Sequence, residues 1–317
     1  MKLFLMIALL CSYAFALTAQ TPSSKYVASG VVTDMVVKDE LLYVSTDASR
    51  IDVFDTQSAK IIKNITIDKI KDFMGDAIDA KIFSVDVVDN KILILSQAQR
   101  GYGRVYIYEN DKLQLLIDES KSLSIAKAKF LDANTLLLGL LSDEVISYDV
   151  TKNRQNYRMS ASNAKFSDFV LSEDKSQVAL TDESGEVQLL NTKDGSLIKT
   201  FSGKNLDNVF KLDYKNGIIA TAGQDRRAVI YNVKLNEAYY KTSSFFIYCV
   251  GLSPSGELAA YSSDVNNNVT VFNTKTKSNL AVFTGNKITL NKILFLNENE
   301  FLVAGDNNVI NRYKLRK

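Results

Sequence analysis

Ile51-Asp52-Val53-Phe54-Asp55 decides the fold, because its pattern returns along the whole chain. The copies are Val105-Tyr106-Ile107-Tyr108-Glu109, Val145-Ile146-Ser147-Tyr148-Asp149 and Val187-Gln188-Leu189-Leu190-Asn191. They continue with Ala228-Val229-Ile230-Tyr231-Asn232, Val269-Thr270-Val271-Phe272-Asn273 and a weaker Val309-Ile310-Asn311-Arg312-Tyr313. An apolar opening leads to an aromatic or Leu anchor, usually followed by Asp or Asn. The anchors stand at 54, 108, 148, 190, 231, 272 and 313, at intervals of 54, 40, 42, 41, 41 and 41. Each unit has room for four short strands, as in Phe83 to Val88, the Asp89-Asn90 turn and Lys91 to Ser96. Turns every 8–12 residues and no 10–15-residue helical pattern exclude parallel βαβ repeats and predict propeller blades. The expected fold is all-β: one seven-bladed β-propeller of four-stranded blades over residues 25–317.

The seventh unit stops at its third strand. Lys25 to Val32 (KYVASGVV) precedes the first complete unit, so it is expected to close the ring as the missing strand. Closure leaves no open seam between first and last blades.

Ahead of the repeats, Met1-Lys2 and the apolar run Leu3 to Ala16 read as a secretory leader. The run ends in Ala14-Phe15-Ala16, an A-x-A-like cleavage site, with Ala19 as a second possible cleavage point. It is shorter than the roughly 20 residues a bilayer span needs. Cleavage after 16 removes Cys11 and leaves Cys249, which sits in an apolar run and reads as a buried small hydrophobe. A periplasmic location with no span after leader removal is therefore expected.

The chain has no His and no Trp, and its formal charge is +2. Without His there is no Ser-His-Asp or Cys-His pair, no His ligand for zinc and no c-type haem motif. The small charge gives no electrostatic case for nucleic acid. Asp264 to Asn268 and Asp306 to Asn308 lack the calcium-loop pattern and read as turns. Gly101-x-Gly103 precedes no helix and is not a dinucleotide fingerprint. No catalytic residue, metal site or cofactor is expected.

The repeat is broken in a few places, and insertions into such repeats map to loops on one face. The first interval is lengthened over Ile67 to Lys81, which carries Phe73 and Met74. This segment is either a surface elaboration with its own small apolar plug or a partner-binding loop. Gln97 to Arg104 reads as an enlarged loop with Tyr102 between two glycines. Gly223 to Arg227 and Asp47 to Arg50 are the equivalent loops of blades five and one. Five of nine arginines (Arg50, Arg100, Arg104, Arg226, Arg227) fall in these three loops, which share one side of the ring. Arg and Tyr are favoured at interface hot spots. The expected partner-binding set is those five arginines with Phe73, Met74 and Tyr102. The competing expectation is that Arg50, Arg226 or Arg227 pairs internally with Asp47 or Asp225.

In period, strand count and closure the chain resembles the WD40-like propellers, although their usual Gly-His and Trp-Asp signatures are missing. The Asp or Asn after the anchor is what remains. Ile70 to Asp76 (IKDFMGD), Ser84 to Asp86 (SVD), Gln97 to Tyr102 and Gly223 to Arg227 together resemble the NapL-type accessory proteins of periplasmic nitrate reductase systems. That resemblance implies a non-enzymatic accessory role in assembly of, or electron delivery to, the reductase, with nitrate reductase components as partners. A general envelope assembly scaffold and a metal-dependent propeller hydrolase remain the alternatives.

Overall fold

The computed structural model describes residues 19–316; the leader expected over 1–16, with Cys11, lies outside the described residues. Seven four-stranded antiparallel sheets follow one another along the chain. Blade one consists of Val32–Lys38, Leu41–Thr46, Arg50–Asp55 and Ile61–Thr66, in spatial order from the axis outwards. The inner strands of blades two to seven are Ile82–Val88, Ile125–Asp132, Phe166–Leu171, Val209–Lys215, Val250–Leu252 and Leu290–Phe295. The repeated stretch of the sequence is the third strand of each blade. It is buried because neighbouring sheets cover both of its faces, so it reads as a nearly continuous apolar run.

The core lies between blades, not within one. Ile51, Val53 and Ile65 of blade one pack on Ile82, Val85, Ile92 and Ile94 of blade two. At the closure, Tyr26, Leu302 and Ile310 meet Met35, Leu42, Val44 and Phe54. The ring closes through Ser24–Val27, which pairs antiparallel with Val309–Lys314 in the register Tyr26 to Ile310. The closing strand is shorter than the expected 25–32. The Ala28 and Val32 amides turn to the Asn308 and Asn307 carbonyls, and Val32 already opens blade one. Ala19–Gln20 adds a short parallel strand to the outer strand of blade six, Asn279–Phe283.

A bulge recurs near the start of the inner strands, at Thr33, Phe83, Ala126, Ser167, Phe210 and Asn291. A bulge re-aims the residues beside it. It turns the next position of each strand toward the axis: Asp34, Ser84, Lys127, Asp168, Lys211 and Lys292, with Cys249 as the blade-six equivalent. Carboxylates on these strands then staple four of the blades to the one that follows. Asp34 accepts from the Val85 amide, Asp86 from Phe130, Asp168 from Leu212 and Asp213 from Leu252.

A second link acts further out. The Tyr26, Tyr157 and Tyr239 hydroxyls donate to the Thr56, Thr192 and Thr274 carbonyls of the following blade at 2.6–2.8 Å. Each of these threonines in turn donates its hydroxyl back into its own blade. The Asp or Asn after the anchor closes the next turn. The side chains of Asp55, Asp149, Asn191, Asn232 and Asn273 accept the amides of Ser58, Lys152, Lys193, Leu235 and Lys275. These bonds hold the blades where Trp and His are missing.

Candidate functional site

Antiparallel order puts two sets of connections on one face: those between second and third strands, and those between successive blades. Every departure from the repeat noted in the sequence falls on this upper face. The insertion folds as a small hairpin, Ile70–Lys71 against Ala77–Ile78. Ile67, Ile70 and Ala80 are buried and root it on blades one and two. The tip is tightened by Asp72, whose carboxylate accepts the Met74 and Asp76 amides at 2.9 Å. Phe73 and Met74 are therefore held outward, 95% and 72% exposed. The apolar plug of the insertion consists of the isoleucines, and the two tip residues take no part in it.

The loop of blade two is shorter than expected. Gln97 and Gly103 pair across the ladder, and Ser96 pairs with Arg104. Arg104 is thus a strand residue. Its guanidinium forks onto Glu119 at 2.6 and 2.9 Å, which raises the guanidinium pKa and holds the Glu119 carboxyl down at about 2. Bidentate pairing of this kind removes Arg104 from any docking role. Gly101 has φ +78°, but Gly103 serves close packing: a Cβ there would lie 3.1 Å from Leu95 and 3.2 Å from Ile125. Arg100 itself takes a left-handed conformation, φ 60°, and Tyr102 is half-buried in extended backbone.

Arg227 is also committed. It donates to the Lys204 carbonyl at 2.8 Å, lies 3.8 Å from Asp225 and stacks 4.4 Å from the Tyr240 ring centroid. The internal pairing expected as the competing outcome thus holds for Arg227. Asp225 is spent locally, on the Leu206 amide and the Asn205 amide nitrogen, while Thr221 donates to Asn205 at 2.7 Å. Asp47 accepts the Val31 amide. Arg50, Arg100 and Arg226 are exposed and form no ion pair among the described residues.

The structure adds a patch that the sequence analysis did not single out. The connection between blades five and six carries Phe245 and Phe246, stacked at 5.2 Å and each 38% exposed. Both meet Tyr248 edge-on, and Tyr248 stacks on Phe210 at 5.4 Å. The Ser243 and Ile247 amides donate to the Arg226 and Gly223 carbonyls, which fastens this aromatic group beside the Arg226 turn. A continuous apolar run such as Phe245 to Val250 is compatible with a buried strand. Only Val250–Leu252 became one, because Ser262 captures the Tyr248 amide with its hydroxyl. Cys249 is buried as expected, and burial pushes its thiol up to about 12.

Further back along the chain, at blades three and four, the same face hides an acidic pair. Asp143 is fully buried and neither of its carboxylate oxygens has a hydrogen-bond partner. Burial, and next to it the Asp182 carboxylate, push it up to about 6. Asp182 is satisfied by Ser162 and Ser184. Among the described residues no group of three or more His, Cys, Asp or Glu could hold a metal ion, and no helix is long and apolar enough to cross a membrane.

No family model matches this sequence, and no curated protein does. A chain in the crystal structure of the mitotic checkpoint complex is similar in shape, with TM-score 0.75 over 100% of this chain and 98% of that one, at 12% identity. The fold is a seven-bladed β-propeller. At that identity the likeness extends to architecture alone, and function must be argued from the surface itself.

Proposed function

We propose that this protein is an exported, non-enzymatic interaction module that docks a protein partner on its upper face, and that the partner belongs to a periplasmic nitrate reductase system. The observation that carries the docking reading is the distribution of unspent groups. Among the described residues Arg50, Arg100 and Arg226 form no ion pair, and Phe73, Met74, Phe245 and Phe246 are exposed on the same side. Three guanidinium forks beside apolar prominences suit a partner surface bearing carboxylates next to apolar side chains. Arg104 and Arg227 drop out of the set and the aromatic patch joins it. Support for the reductase system comes from the four resembling segments, of which IKDFMGD forms the hairpin tip and Gly223 to Arg227 the turn under the aromatic patch. Support for export comes from the leader-like segment over 1–16.

The test is co-purification of tagged protein from periplasm. Wild type should recover nitrate reductase components, and Arg50→Glu/Arg100→Glu/Arg226→Glu should lose them while unfolding at the wild-type urea concentration. Recovery of envelope proteins unrelated to nitrate reduction, lost in the same variant, would keep the docking face and replace the partner.

A further inference from the structure

The tunnel along the ring axis contains a chamber of about 290 Å³, lined by inner-strand residues of several blades. Its walls carry six lysines and four acids, and the two sets are not matched. Lys129 and Lys292 share Asp34 at 3.1 and 2.8 Å, and Lys127 holds Asp168 at 2.6 Å. Lys211, Lys215 and Lys175, which line the same chamber, lie within 4 Å of no carboxylate among the described residues.

The chamber acids are engaged elsewhere. Asp168 uses its second oxygen on the Leu212 amide, and Asp213 uses one oxygen on Leu252 and the other on Tyr214. Asp86 accepts the Phe130 amide and Glu173 the Asn216 amide. Each of these bonds ties a blade or a turn in place, so none is available to swing toward a lysine. Lys211 and Lys215 project from the same face of one strand, four residues or roughly 13 Å apart along it. Lys175 belongs to the turn between the first two strands of blade four, at the lower end. Low-dielectric walls strengthen the field of these three ammonium groups, which have no direct ion pair although the chamber acids lie on the same walls.

We propose that the chamber is a binding site for a small dianion held by the Lys211 ammonium group, with Lys215 and Lys175 adding charge from the lower end. A phosphate ester or inorganic phosphate and a short dicarboxylate share this chemistry, and the cavity admits either. The site lies on the axis, away from the docking face, and stands or falls independently of the partner reading.

The experiment is isothermal titration of the purified chain, in buffer low in other anions, with inorganic phosphate, with succinate and with acetate. Phosphate or succinate is expected to bind at one site per chain, and Lys211→Met to weaken it about tenfold or more, the loss of one charge-assisted contact. Lys215→Met should weaken binding less, and both variants must unfold cooperatively near wild type. Binding by phosphate alone, or by succinate alone, identifies the class. The proposal is overturned if neither gives saturable heat, if Lys211→Met and Lys215→Met both bind as wild type does, or if acetate binds as tightly as the dianions.

Discussion

Along the inner strands, Asp34 collects two ammonium groups and the Val85 amide, and Asp168 collects Lys127 and the Leu212 amide. On the upper face the Arg50, Arg100 and Arg226 guanidinium groups form no ion pair among the described residues. The same side-chain chemistry thus does opposite work in two regions. The paired charges near the axis are buried and tie neighbouring blades together; charges on the rim are hydrated and cost little to leave unpaired. A propeller lacking Trp and His depends on the first kind, and the second kind is unspent, which is the basis of the proposed docking face.

The largest effect should come from breaking the axial set. Asp34→Ala strands two buried ammonium groups and should cost about 3–5 kcal/mol in urea unfolding. Burial opposes ionisation of Asp34, but Lys129 and Lys292 outweigh it and hold its pKa well below the ordinary value. Its stabilisation is therefore present above about pH 4 and is lost as pH falls further.

Asp143 should behave with the opposite sign. Its folded pKa of about 6 stands above the unfolded value of about 3.9. The native state then binds more protons between these values, so stability falls as pH rises from 4 through 6. Asp143→Asn should raise stability at pH 7, by on the order of 1–3 kcal/mol, and flatten the slope between pH 5 and 7. A variant less stable than wild type at pH 7 would contradict the burial argument.

Smaller effects separate the arginines. Arg104→Ala removes the fork onto Glu119 and should cost about 1 kcal/mol, since both groups are partly hydrated. Arg50→Ala, Arg100→Ala and Arg226→Ala should each change stability by less than about 0.5 kcal/mol, as should Phe73→Ala. If one of the three cost as much as Arg104→Ala, it would belong with the committed charges.

The ring was legible in the sequence because a blade buries its third strand on both faces, so Ile51 to Asp55 and its copies must be apolar at a fixed spacing. The closing strand was legible because the last unit lacks one. The inner-strand bulges were not, since an extra residue at Thr33 or Phe210 leaves no compositional trace. Glu119 lies 15 residues from Arg104, in the next connection, so their pairing shows only once both are folded. The exposed pair Phe245 and Phe246 was hidden by its own hydrophobicity, which reads as core. The hairpin of Phe73 and Met74 was visible because it lengthens one interval of an otherwise regular repeat.

The docking face is tested most directly by the affinity of a purified partner, taken from the wild-type co-purification, for four forms of the chain: wild type, Arg50→Ala/Arg100→Ala/Arg226→Ala, Phe245→Ala/Phe246→Ala, and Arg104→Ala. Affinity should fall by about tenfold or more in the triple and the double variant, with Arg104→Ala binding as wild type does. Undiminished binding by both the triple and the double variant, each folded, would contradict the account and place the partner elsewhere on the ring.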